Sequence, residues 1–338
     1  MLIGHQRIWE FLTKSVRQNR LAHAYLFIGP SQVGKLTLAR EWAKWQLCEK
    51  IHPSQYPPLD KGREGVGFPC GQCRQCLAIE RGQNPDLIIL SPHLVEKDGV
   101  KKTLEISIKE ARELQRQLIL FPYSAVRKIA IIEEAAAMSD EAANALLKTL
   151  EEPSSRSLII LVSASWQAIL PTIISRCQLI KFLPVPEKEI VAGLKKLSAK
   201  TTSLTEAVKL AAGRPGRAMK LLAEPELMAQ QKKTIADFIK LRQSSLASRW
   251  EETKILAQDP AQAQDVLNQW LLWLRDRLLE QSGQAGLVIS GAADEKSLNN
   301  YSTGNLLNVC REIQKTQVIL QNPSFNARLA LEVLMTKI

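Results

Sequence analysis

Gly29-Pro30-Ser31-Gln32-Val33-Gly34-Lys35-Leu36-Thr37 decides the fold class, because of what stands on either side of it. Residues 23–28 before it are a mostly apolar run of strand length, and a helical pattern follows. A G-x-x-x-x-G-K loop between a strand and a helix is a phosphate-binding arrangement. Backbone N–H groups and the helix N-terminus cradle phosphate, and the lysine reaches the outer phosphates. The residue after that lysine ordinarily gives a hydroxyl to Mg2+. Here it is Leu36, which cannot coordinate a metal, and Thr37 lies one residue on, about 100° round the helix. Gly29, Gly34, Lys35 and Thr37 are thus expected to form a loop of the right shape with impaired metal chemistry.

Four further runs, at 86–90, 128–132, 158–162 and 178–182, are rich in Ile, Leu and Val. Helical patterns separate them. This alternation predicts βα units and a doubly wound parallel sheet whose strands are buried on both faces. The run at 128–132 leads into Glu133-Glu134. In an active phosphate-loop ATPase that place holds an Asp for the metal and a Glu that orients the attacking water. Glu133 is one methylene too long for the first role, and Glu134 keeps the right type for the second. Two solvated carboxylates at a strand end are the alternative.

Texture changes twice along the chain. Leu183-Pro184-Val185-Pro186 marks a boundary, and from about Pro225 the sequence is helical to its end. The expected division is an α/β phosphate-loop domain over 1–184, a small helical domain over 185–226, and an all-α bundle over 227–338. Two stretches read as loops: the Pro/Gly-rich connection between Cys48 and Cys70, and residues 282–293.

The 338 residues carry a formal net charge of +11, and the sequence pI is about 9.4. A basic balance of this size suits an anionic partner, nucleic acid above all, although a plain Lys/Arg-rich face is the competing explanation. No apolar run reaches the length of a membrane span. The first residues lack the layout of a signal peptide, so a cytoplasmic protein is expected.

Three of six cysteines fall in Cys70-Gly71-Gln72-Cys73-Arg74-Gln75-Cys76. That spacing favours a metal over disulfides in a reducing compartment. Structural Zn2+ wants four ligands, and Cys48 is the natural fourth. His52 is a possible substitute, and reduced free thiols are the alternative.

Residues 139–153, from Ser139 to Pro153, predict an amphipathic helix capped by Ser139, with Ala143, Leu146, Leu147 and Leu150 on one face. Within it, Asn144-Ala145-Leu146-Leu147-Lys148-Thr149-Leu150-Glu151-Glu152-Pro153 resembles the AAA+ clamp-loader ATPase family of bacterial DNA polymerase III. So do Ile173-Ile174-Ser175-Arg176-Cys177 and His23-Ala24-Tyr25-Leu26-Phe27-Ile28-Gly29-Pro30. Leu36 and Glu133 place the chain with the members of that family whose nucleotide motifs are eroded. The resemblance implies an AAA+ domain with a lid and a C-terminal oligomerisation collar. It implies a four-cysteine module of Cys48, Cys70, Cys73 and Cys76 holding structural Zn2+, and it makes ATP and Mg2+ binding on this chain doubtful. It also implies that Arg176 is an arginine finger given in trans to a neighbouring ATPase subunit. Without the resemblance, Arg176 reads as an arginine paired with a carboxylate at a domain edge. The partners implied are gamma/tau and delta subunits, a sliding clamp and primed DNA. Gly213-Arg214-Pro215-Gly216-Arg217 loosely matches the family's second nucleotide-sensing arginine and equally suits a plain helix start. Two other functions stay open: an ATP-hydrolysing gamma/tau-type subunit, and a DNA-binding module with a vestigial AAA+ fold.

Overall fold

The computed structural model describes residues 2–51, 68–97, 101–196, 203–284, 302–320 and 326–338. His52, most of the connection before Cys70, and the expected loop from 285 onward lie outside the described residues. The chain divides into two compact units. The first comprises Met1–Gly193 with Gly213–Gly216, and the second Leu194–Ala212 with Arg217–Ile338.

The first unit is built on a five-stranded parallel sheet. Its strands are β1 (Ala24–Ile28), β2 (Leu87–Leu90), β5 (Lys128–Ile132), β6 (Ser157–Ser163) and β7 (Gln178–Lys181), in the order β2-β5-β6-β1-β7. All five coincide with the runs picked out in the sequence. Every residue of β1, β5 and β6 is buried, while β2 and β7 at the edges are partly exposed. Strands with covered faces need continuous apolar runs, which is why these were visible. A short antiparallel pair, β3 (His93–Lys97) with β4 (Lys101–Glu105), was not anticipated. Its sequences are charged and short and carry neither signature.

Helices α1 (Gln6–Arg17), α2 (Lys35–Leu47), α3 (Arg74–Glu80), α4 (Ile108–Ile119), α5 (Asp140–Glu151) and α6 (Pro171–Ile174) belong to this unit, as does α7 (Glu187–Lys195) up to Gly193. Ser107 and Glu110 form a reciprocal capping box at the start of α4. The Ser139 hydroxyl accepts the Ala142 N–H at 3.1 Å and caps α5. Ala143, Leu146 and Leu150 are buried against the sheet, with Leu147 packed beside them.

In the second unit, helices α8 (Leu204–Ala211) and α9 (Pro215–Ala223) precede α10 (Pro225–Gln243), α11 (Leu246–Leu256), α12 (Pro260–Gln281), α13 (Thr303–Leu320) and α14 (Ala327–Met335). The first two residues of α9 belong by contact to the first unit. The core of the second unit gathers Phe238, Trp270, Trp273, Leu306, Ile313 and Leu331. Phe238 stacks on Trp270 with ring centroids 4.5 Å apart.

Candidate functional site

β1 delivers the chain to Gly29 at the edge of β7. A Cβ on Gly29 would lie 2.4 Å from the Phe182 carbonyl oxygen, so the turn has room only for glycine. Gly34 sits at φ 112° and caps α2. Between them Gln32 adopts φ 63°, a left-handed conformation that few L-residues hold. The loop has its expected place between strand and helix.

Its polar groups are served from within the chain. Lys35 is 4% exposed, and its Nζ donates to the carbonyls of Gly29 at 2.5 Å and Pro30 at 2.8 Å. Burial pushes its amine below the ordinary lysine range, against the pull of the Glu134 carboxylate. The Gly216 N–H donates to the Gln32 carbonyl at 3.0 Å. His5 Nε2–H donates to the Val33 carbonyl at 2.9 Å, with the ring edge-on to Phe182.

Leu36 is half-buried and Thr37 is exposed on α2. Glu133, at the end of β5, has both carboxylate oxygens engaged. Arg40 pairs with Oε1 at 2.7 Å, and the Ser91 hydroxyl donates to Oε2 at 2.9 Å. Glu134 turns the chain at φ 47° into a 3-10 turn at Ala135–Ala137. Arg40 and Ser91 were not singled out from the sequence. The one available signal was helical spacing, which puts Arg40 four residues from Leu36 on the same face of α2.

The cysteine cluster is differently arranged. Cys48 caps the end of α2 and Cys73 the start of α3. The sulfurs of Cys48, Cys70, Cys73 and Cys76 all lie within 4.8 Å of one another. Cys70 and Cys76 are 3.9 Å apart, as are Cys48 and Cys73. Four thiolates at ~2.3 Å from one tetrahedral ion sit ~3.8 Å apart, so the set fits a closed metal site. Backbone N–H groups of Gln72 and Cys73 bring the Cys70 thiol down to about 6, whereas burial pushes Cys48 and Cys76 up.

Beside the cluster, a chain of buried polar groups leads away from α3. Gln75 donates to Ser124 Oγ at 2.6 Å and accepts from Asn84 Nδ2 at 2.5 Å. Asn84 Oδ1 accepts the Asp86 N–H at 2.9 Å. The Asp86 carboxylate, fully buried, accepts the backbone N–H groups of Tyr123, Ser124 and Ala125 at 2.7–3.1 Å. The turn so held exposes Leu120, Phe121 and Tyr123.

Arg176 follows α6. Its guanidinium pairs with Glu151 Oε1 at 2.6 Å and donates to the Thr172 carbonyl at 2.9 Å and to Ser175 Oγ at 3.3 Å. Its side chain is 34% exposed. The neighbouring Cys177 thiol is pushed up to about 12 by burial, which leaves it unreactive. Arg217 donates to Gln231 Oε1 at 3.0 Å within the second unit.

A sequence profile described as DNA polymerase III, delta subunit, matches residues 4–186. The chain belongs to that family. It is 36% identical over 216 residues to the DNA polymerase III subunit delta' of Bacillus subtilis, covering 60% of this chain and 58% of that protein. It is 31% identical over 224 residues to the Escherichia coli subunit delta', covering 66% and 61%. The subunit tau of Bacillus subtilis is 32% identical over 196 residues, 58% of this chain and 31% of its own length. The chain thus spans less than two thirds of each of these relatives. The profile takes in the phosphate-type loop, the four cysteines, Glu133 and Arg176 together. No helix among the described residues is long and apolar enough to cross a membrane.

Proposed function

We propose that the chain is a delta-prime-type clamp-loader subunit that does not itself turn over ATP but presents Arg176 to ATP held by a neighbouring gamma/tau subunit. The observation that carries this is the state of Glu133. Both of its oxygens are engaged within the chain, and Leu36 replaces the metal-binding hydroxyl. Arg176, in contrast, is a surface guanidinium that pairs, among the described residues, with one half-exposed carboxylate and two oxygens of its own turn.

A guanidinium keeps its charge at any physiological pH and can bind phosphate oxygens through two parallel N–H groups. At a neighbour's γ-phosphate it stabilises developing negative charge, an effect worth about 10³–10⁵ in rate in other NTPases. Exchanging Glu151 for phosphate keeps the group paired throughout. The rest of the proposal follows the family. The chain acts in the cytoplasm with gamma/tau and delta subunits, and the assembly opens a sliding clamp around primed DNA. The basic surface holds DNA through its phosphates without reading sequence. Cys48, Cys70, Cys73 and Cys76 hold a structural Zn2+ that supplies cross-linking and no chemistry. A lid over 185–226 and a collar over 227–338 go with this assignment.

Reconstitution tests it. With purified gamma/tau and delta subunits, the full chain should co-purify as one complex and raise clamp loading on primed DNA above that of the subunits without it. Failure to enter the complex would remove the loader role. Steady ATP turnover by the chain alone would favour the gamma/tau-type alternative.

A further inference from the structure

Phosphate-loop ATPases hold Mg2+ between a hydroxyl that follows the loop lysine and a carboxylate at the end of a core strand. The residues here do not fit that ion. Leu36 offers no oxygen, and Glu133 is already bonded at both of its own. We propose that Arg40 takes the place of the divalent cation beside Glu133 and so shuts the metal out of this loop.

Position and charge support the assignment. Arg40 lies one turn beyond Leu36 on α2, so the two point the same way from the helix. Leu36, where the hydroxyl is missing, and the Arg40 guanidinium therefore fall on one side of α2, and Arg40 reaches the end of β5 from it. The Arg40–Glu133 pair joins residues 93 positions apart at 2.7 Å, on the carboxylate that would otherwise be offered to a metal. A guanidinium does not lose its proton to make room. A dication entering beside it would meet like charge and would have to break the pair. Ser91 holds the other oxygen from the end of β2. Glu133 is 19% exposed, so solvent screens the pair only in part.

The loss of metal chemistry thereby has two parts of different kinds. Leu36 removes a ligand, which restoring a hydroxyl would cure. Arg40 occupies the ligand that remains, which restoring the hydroxyl would not cure. The inference rests on the reading that the loop at 29–35 is phosphate-type and does not turn over ATP, and not on the donated role of Arg176, so failure of the Arg176 role leaves it standing.

Calorimetric titration of the full-length chain with ATP, in Mg2+ and in EDTA, separates these parts. Wild type and Leu36→Thr should show the same affinity, or the same absence of binding, in both buffers. Leu36→Thr/Arg40→Ala should bind ATP about tenfold or more tightly in Mg2+ than in EDTA. Adding Glu133→Gln to that pair should abolish the difference. Arg40 is half-exposed, so its removal leaves no buried gap, and a second pair, Leu36→Thr/Arg40→Gln, guards against a folding defect in the first. The proposal is overturned if wild type or Leu36→Thr alone responds to Mg2+. It is equally overturned if both double variants melt like the parent and neither responds.

Discussion

Two places in the first unit have the residues of a ligand site, the loop at 29–35 and the cysteines at 48–76, and they treat their donor atoms in opposite ways. At the loop the chain satisfies itself: Lys35 ties Gly29 and Pro30, Gly216 and His5 tie Gln32 and Val33, and Arg40 and Ser91 hold Glu133. At the cluster four sulfurs converge with the spacing of ligands round one ion. A binding motif fixes backbone shape, but whether its polar atoms are available is decided by their partners, some within the motif and some far away in sequence. At the loop those partners are internal; at the cluster the four sulfurs are spaced so that one metal ion could be their common partner.

The largest way to break this contrast is to remove the zinc proposed for the cluster. Binding of structural zinc contributes roughly 10–16 kcal/mol in small zinc-dependent folds. Cys76→Ser, or exhaustive chelation, should cost a sizeable part of such a term. Elemental analysis should show the loss of one zinc per chain, and calorimetry a lower melting temperature for the first unit. Unchanged melting with full loss of zinc would make the cluster ornamental. Because binding requires deprotonated thiols, and Cys48 and Cys76 hold their protons upward of the usual range, zinc uptake should release protons and weaken as pH falls.

Next in size is the relay from α3. Asp86→Ala leaves three backbone N–H groups without an acceptor, at ~1–3 kcal/mol for each group left buried. Hydrogen exchange of Tyr123–Ala125 should accelerate first, and zinc removal should accelerate the same amides through Gln75. If zinc removal leaves them protected, the module and the turn are independent.

At the loop, Lys35→Met should destabilise by ~1–3 kcal/mol, because it strips the donor from two carbonyls in a crowded turn. A stability equal to wild type in denaturant titration would mean the loop is not self-satisfied. The smallest effect concerns His5, whose pKa burial holds below the ordinary value. The unfolded chain therefore takes up this proton first, and stability declines as pH falls below ~6.5 towards the lowered folded value. His5→Asn should flatten that part of the pH–stability curve, measured by denaturation between neutral and mildly acidic buffers.

The same contrast explains what could be read ahead of the structure. The inner strands β1, β5 and β6 were legible because burial on both faces demands unbroken apolar runs, the edge strands β2 and β7 because short apolar stretches recur between helical patterns, and α5 because Ser139 and its apolar face obey local rules. The cysteine cluster was legible because Cys70, Cys73 and Cys76 are near in sequence and only Cys48 had to be added. Arg40–Glu133 and Gln75–Ser124 were not, since nothing local links residues 93 or 49 positions apart. Nor was the pair β3–β4, whose charged residues lack an apolar face, or the contact of Gly216 with the loop. Arg176 was singled out by resemblance alone. In the free chain it does what a lone surface arginine does, which is to pair with a carboxylate.

The central claim is that the chain's silent loop and its donated arginine belong to one division of labour. Single-turnover ATP hydrolysis by a reconstituted assembly carrying Arg176→Ala in this chain tests it most directly. Hydrolysis at the adjacent gamma/tau site should fall by about 10³-fold or more while the complex still assembles. An intact complex that hydrolyses ATP at the wild-type rate would contradict the account.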